Sequence, residues 1–217
     1  MVQAFEERVK DSRDVTREGR RLFQGEGTLD EAAARLSAEL RRRGIPHAFM
    51  GGWAVIRYGY KRYTEDLDLL VTLESRKRIH EELVGLGYKP LFAGSRNIRD
   101  AQTGVRIDVV GAGGFPGDGK PKPVSFPDPS TLKLVEKDGV SLVPLEALIE
   151  LKLASGMTGG LGRAKDLTDV FELIRAHKLD ESFAEKLDPY VRDRYRDALR
   201  DVRIAEARGD LSEGDGY

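Results

Sequence analysis

The chain has 217 residues, no cysteine, 40% apolar and 34% charged residues, and a formal net charge of −1. Such a length carries one sizeable domain, or a domain with a helical appendage, and the lack of cysteine excludes disulfides, thiolate nucleophiles and cysteine-ligated zinc. The near-neutral balance gives no global footprint for nucleic acid or membrane, no apolar run reaches spanning length, and a cytoplasmic protein is expected.

Residues 1–27 are polar and are predicted to form an arm or short helix. Thr28, Leu29 and Asp30 then open a helix whose Ala and Leu residues recur at helical spacing until Gly44 and Pro46 stop it. His47–Met50 is a short apolar strand running into Gly51–Gly52, and Trp53–Tyr58 is helical. Leu67–Leu73 is predicted as a buried strand, and Ser75–Leu86 as a helix ended by Gly87. Strand-like pieces follow at Tyr88–Phe92, Arg96–Arg99 and Val105–Val110. The segment from Gly111 to Pro123 has turn chemistry and reads as a mobile loop. Leu132–Val135 and Val140–Val143 bracket Lys137-Asp138-Gly139 as a hairpin. From Pro144 onward the pattern is helical: 145–155, 164–177, a short piece near Phe183, and 190–208, with 211–217 as a frayed tail. The expectation is an α/β (α+β) fold, with a mixed-sheet core over 28–143 and a helical region over 144–210.

The chemistry sits on the strands. Asp66 and Asp68 flank Leu67, and alternation places both side chains on one face, about 7 Å apart. If the strand carrying Asp108 pairs alongside, three carboxylates converge. They repel one another unless a cation joins them, and oxygen-only ligands suit Mg²⁺ or Mn²⁺. A D-x-D at a solvated strand end is the plainer account. Upstream, however, Gly51 and Gly52 follow a strand and open a helix, which leaves backbone N–H groups free to face a phosphate.

Together, Met50-Gly51-Gly52, a thirteen-residue gap, Asp66-Leu67-Asp68-Leu69 and a later Ile107-Asp108-Val109 resemble the signature of the polymerase-β-type nucleotidyltransferases. More narrowly, Ala54, Gly59, Arg62 and Thr64 fall in register with the AbiEii-type branch of minimal nucleotidyltransferases. Lys152, Ala154 (one position early), Arg163, Lys165, Asp166 and Asp169 are similar to its later helix-pair motif. The resemblance spans about residues 45–175 and implies a nucleotidyltransferase-like mixed sheet with flanking helices. It implies Mg²⁺ or Mn²⁺ held by Asp66, Asp68 and Asp108, and an NTP held by Gly51, Gly52, Arg62, Lys152, Asp166 and Asp169. The acceptor hydroxyl then belongs to a tRNA end, a protein or a small molecule. A toxin-type enzyme with an antitoxin partner is one form of this reading. A non-catalytic nucleotide- or partner-binding module and a metal-dependent phosphohydrolase are the alternatives.

Several residues also have plainer accounts. Arg62 either contacts the triphosphate or pairs with Glu65. Lys152 either snorkels to solvent or reaches a phosphate. Asp166 and Asp169 either favour a helix dipole or fix Lys152 or Arg163. Trp53 is expected in the core, Tyr58, Tyr60 and Tyr63 in packing roles, and His47, His80 and His177 in structural ones. The arginines at 41–43 are expected on a solvated face.

Overall fold

The computed structural model describes residues 27–209. All but the last residue of the predicted arm (1–27), and the tail at 211–217, therefore lie outside the described residues. Helix α1 (Thr28–Arg42) buries Leu29, Ala32, Ala33, Leu36 and Leu40, one stripe at the helical period. Strand β1 (His47–Met50) is buried at every position and leads directly into helix α2 (Gly51–Arg57). Strand β2 (Asp66–Val71) follows, with Leu67, Leu69, Leu70 and Val71 all fully buried.

Strand β2 stops two residues before the predicted end because Thr72 caps the next helix. Its Oγ1 accepts from the Ser75 N–H at 2.9 Å, so helix α3 (Leu73–Leu83) begins at Leu73, which is left exposed. That helix also ends before the predicted Leu86. Val84 is already extended, and Gly85 (φ +89°) and Gly87 (φ +99°) turn the chain into β3 (Tyr88–Pro90).

Strands β4 (Ile98–Asp100) and β5 (Arg106–Gly111) come next, followed by a long connection without strand or α-helix as far as Asp128. The hairpin β6 (Val135–Lys137) and β7 (Val140–Leu142) turns at Asp138 (φ +48°) and Gly139 (φ +77°), the two positive φ values of a type I′ turn. Its first strand starts three residues later than predicted.

The sheet order is β3-β4-β5-β2-β1-β7-β6. Strand β2 lies antiparallel to β1 but parallel to β5, which it meets over six paired residues. Helices α4 (Leu145–Thr158), α5 (Ala164–Ala176) and α6 (Pro189–Arg208) complete the described chain. Helix α4 is buried on most sides, as an apolar helix must be. The hydrophobic core runs without a break from α1 through the sheet into α4, α5 and α6. The fold is thus a mixed α/β sheet with flanking helices and a helical C-terminal half.

Candidate active site

Pairing between β2 and β5 sets Asp68 directly opposite Asp108, and Asp66 opposite Arg106. By alternation all four side chains share one face of the sheet. Asp66 accepts from the Thr64 hydroxyl at 3.1 Å. Asp68 rests against the turn that opens α2. Gly51 there has φ +69°, and a Cβ on it would stand 1.8 Å from Asp68 Oδ2. The Gly52 N–H also donates to the Asp68 carboxylate. The glycine pair is therefore shaped around an aspartate of the next strand.

The environment of Asp68 is short of positive charge. Burial pushes its pKa up to about 6; Asp66 and Asp108 add to this, while Lys152 opposes it. The neighbouring Asp108 has its own counter-ion. The Arg106 guanidinium donates to both its oxygens, Nε to Oδ1 at 2.7 Å and Nη2 to Oδ2 at 2.9 Å.

Gly51→Ala is expected to cost about 2–4 kcal/mol in chemical denaturation, from a strained φ together with the displaced Asp68. A loss below about 0.5 kcal/mol would contradict this packing.

A second cluster joins the two halves of the chain. Lys152 on α4 is buried and lies 2.7 Å from both Asp166 Oδ1 and Asp169 Oδ2 of α5. Arg62, in the α2–β2 connection, donates to the same Asp169 oxygen at 2.6 Å. Ser155 donates to Asp166 at 2.7 Å, while Arg163 stands 3.9 Å away. Burial alone would raise the pKa of Asp166, but the Lys152 ammonium and the Ser155 hydroxyl outweigh it and hold the carboxyl below the usual range. Two of the plainer accounts are thereby corrected. Lys152 does not snorkel, because two buried acids hold it in place, and the ion-pair partner of Arg62 is Asp169, not Glu65.

Between these clusters lies a cleft of about 340 Å³. Its polar walls include Gly51, Asp66, Asp68, Asp108, Lys152 and Asp166, and Val110, Phe126, Leu148 and Leu151 give it an apolar side. Gly52 and Arg62 also line it, whereas Asp169 does not and bridges Lys152 to Arg62 from behind. The residues to which the resemblance assigns a metal or nucleotide thus gather around one cleft, with Asp169 behind its wall.

Two participants were not foreseen. Arg106 is signalled only by the alternation of Arg-Ile-Asp on β5, and Ser155 by its position three residues after Lys152 on α4. Most residues expected in structural roles occupy them, but Tyr63, expected to pack, is left 48% exposed at the surface. Trp53 is buried with Nε1 donating to Asp30, His47 bridges Ser37 and the Ile45 carbonyl, and His177 meets the Tyr58 carbonyl.

The donor set suits a hard divalent cation in its chemistry: three carboxylates, oxygen only, with Asp68 lacking compensating charge. As placed, no three acidic or histidine side chains among the described residues are close enough to share one ion, and Asp108 is turned to Arg106. Nor is any helix among the described residues long and apolar enough to cross a membrane.

No protein-family model and no curated protein matches the chain. Among solved structures it is similar to an antigenic nucleotidyltransferase-like protein from Paracoccidioides brasiliensis, with 17% identity, a TM-score of 0.47, and 84% of this chain and 89% of that one covered. It is also similar to ANT(2″)-Ia in complex with adenylyl-2″-tobramycin, at 15% identity and TM-score 0.49, over 79% of this chain and 98% of that one. The solution structure of ANT(2″)-Ia gives 16% identity and TM-score 0.45, over 82% and 94%. At such identities a likeness concerns the fold alone.

Proposed function

We propose that this chain is a metal-dependent nucleotidyltransferase, moving a nucleoside monophosphate from an NTP to an acceptor hydroxyl and releasing pyrophosphate. The observation that carries this reading is the Asp68 carboxylate, held against a glycine turn that has no room for a side chain, with Asp66 and Asp108 on the same face. A fold has no structural need to place an undercompensated carboxylate there.

Asp66, Asp68 and Asp108 would hold Mg²⁺ or Mn²⁺, which when bound neutralises triphosphate charge and polarises the reacting oxygens. The remaining work falls to the chain itself. The Gly52 N–H and the Thr64 hydroxyl keep Asp68 and Asp66 in place. Gly51 and Gly52 let the main chain approach a phosphate. Lys152, fixed by Asp166 and Asp169, presents positive charge to the cleft wall, with Arg62 beside it. The acceptor oxygen attacks the α-phosphorus, the bond to the β-phosphate oxygen breaks, and the hydroxyl proton passes to Asp108 and on to water. Such a displacement depends mainly on positioning and charge neutralisation.

The Gly-Gly…Asp-Leu-Asp register with Ala54, Gly59, Arg62 and Thr64 supports the AbiEii-like form of this activity, a toxin-type enzyme acting on tRNA or protein and restrained by an antitoxin. A second reading, a nucleotide-binding module without catalysis, is favoured by one feature, the Arg106 guanidinium already seated on Asp108.

Incubation with Mg²⁺ and each NTP radiolabelled at the α-phosphorus, with total tRNA or cell lysate as acceptor, tests the proposal. Label is expected in an acceptor and is expected to disappear in Asp66→Ala and Asp68→Ala. The absence of labelling with every NTP, together with no NTP-dependent thermal shift, would overturn it. A shift without labelling would support the binding module.

A further inference from the structure

We propose that Arg106 is a built-in brake on cation binding: its guanidinium competes with the divalent ion for Asp108 and must leave before the three carboxylates can act together. This rests on the metal-dependent reading above.

The strand geometry makes the competition specific. Residues 106 and 108 lie on one face of β5, a spacing of about 7 Å that an arginine side chain spans. Arg106 uses Nε and Nη2 against both Asp108 oxygens, the fork-to-fork arrangement that only arginine makes with a carboxylate. Both oxygens are therefore engaged as acceptors, and the guanidinium charge offsets the negative charge that would attract a cation. The pairing holds both Asp108 oxygens on Arg106, and no shared three-acid group exists among the described residues.

Arg106 can also leave. Its side chain is 47% exposed against 22% for Asp108, so a released guanidinium reaches water without crossing packed structure. No other hydrogen bond or ion pair is described for its side chain, and Asp66 and Asp68 attract it at longer range. The opposite arrangement is seen at Lys152 and Arg62, where buried acids pin the cations in place. The chain thus carries two kinds of positive charge around one cleft, a fixed pair on the helical side and a releasable one on the β5 side.

A competitor that must be displaced lowers apparent affinity by the fraction of time it is seated. Arg106 lies opposite Asp66 in the strand pairing, so a guanidinium released from Asp108 starts from the same face of the sheet as the three carboxylates and can meet an anion approaching it. Cation binding and the binding of a phosphate-bearing ligand should therefore favour each other.

The test is direct Mn²⁺ binding to the whole chain, read by the loss of the free-ion paramagnetic resonance signal, with no reaction involved. Arg106→Gln is expected to bind Mn²⁺ about tenfold more tightly than the wild type. Arg106→Lys keeps the charge but cannot make the two-pronged pair, and is expected to recover most of that gain. Unchanged melting temperatures would establish that both variants are folded. Wild-type affinity in both variants would overturn the brake. Tight binding by Arg106→Gln alone would overturn it too, since loss of one positive charge then explains the gain. Binding by none of the three chains would remove the metal reading itself and the brake with it. Equal binding by all three would leave the metal reading standing without the brake.

Discussion

Asp68→Asn is expected to make the protein more stable near pH 7.5 while lowering nucleotidyl transfer at least about a hundredfold. The native Asp68 keeps its proton up to about pH 6, whereas an aspartate in the unfolded chain releases it near 3.9. Between those values the native state binds more protons than the unfolded state, so its stability falls as pH rises. The loss is complete above about pH 6. A difference of about two units corresponds to roughly 3 kcal/mol, and partial access of water to the carboxylate reduces this to about 2 kcal/mol. Asparagine can still accept from the Gly52 N–H but carries no charge to bury, so it escapes this cost. For a chain of this size the gain is about 5 °C in melting temperature near pH 7.5, shrinking toward zero near pH 4. Melting curves at the two pH values measure it. A variant destabilised at both would mean that the carboxylate contributes to folding, and would remove the case that it is retained for chemistry.

The second large effect is expected at Lys152. Replacing it with methionine keeps the volume but leaves Asp166 and Asp169 buried with their main partner gone. Removing one member of a buried ionic group costs about 3–5 kcal/mol, because the remaining charges have lost their compensation. The expected fall in melting temperature is about 10 °C. Arg62 still neutralises Asp169, so the greater damage falls on Asp166, which keeps only Ser155 and the distant Arg163. Adding Asp166→Asn to Lys152→Met should therefore return part of the loss, and a double-mutant cycle should give a coupling of about 1–3 kcal/mol. A single-variant loss under about 1 kcal/mol, or strict additivity, would show that these charges are solvated in solution.

These two sites differ in how far they could be read from the chain alone. Asp66 and Asp68 are two apart on a strand, and a period of two puts them on one face whatever surrounds them. Gly51-Gly52 after a strand is likewise a local feature, because only glycine fits a positive φ with another side chain in the space of its Cβ. Boundaries were read less well where a side chain decided them. Thr72 starts α3 early, and Gly85 and Gly87 end it early, although the apolar pattern runs past both points.

The rest of the site depends on contacts between residues far apart in the chain. Arg62 and Asp169 are separated by 107 positions, and nothing near either one names the other. The pairing of β5 with β2, on the side away from β4, is what brings Asp108 into line with Asp68.

The sequence by itself determined the local chemistry: which residues are acidic, which face of a strand they occupy, and where glycine must stand. Only the tertiary structure decided the electrostatics, namely that Lys152 is fixed by two acids, that Asp68 is left undercompensated, and that Arg106 sits on Asp108. The physical reason is that the energy of a charge depends on its burial and on every charge nearby, and both are set by packing between distant segments.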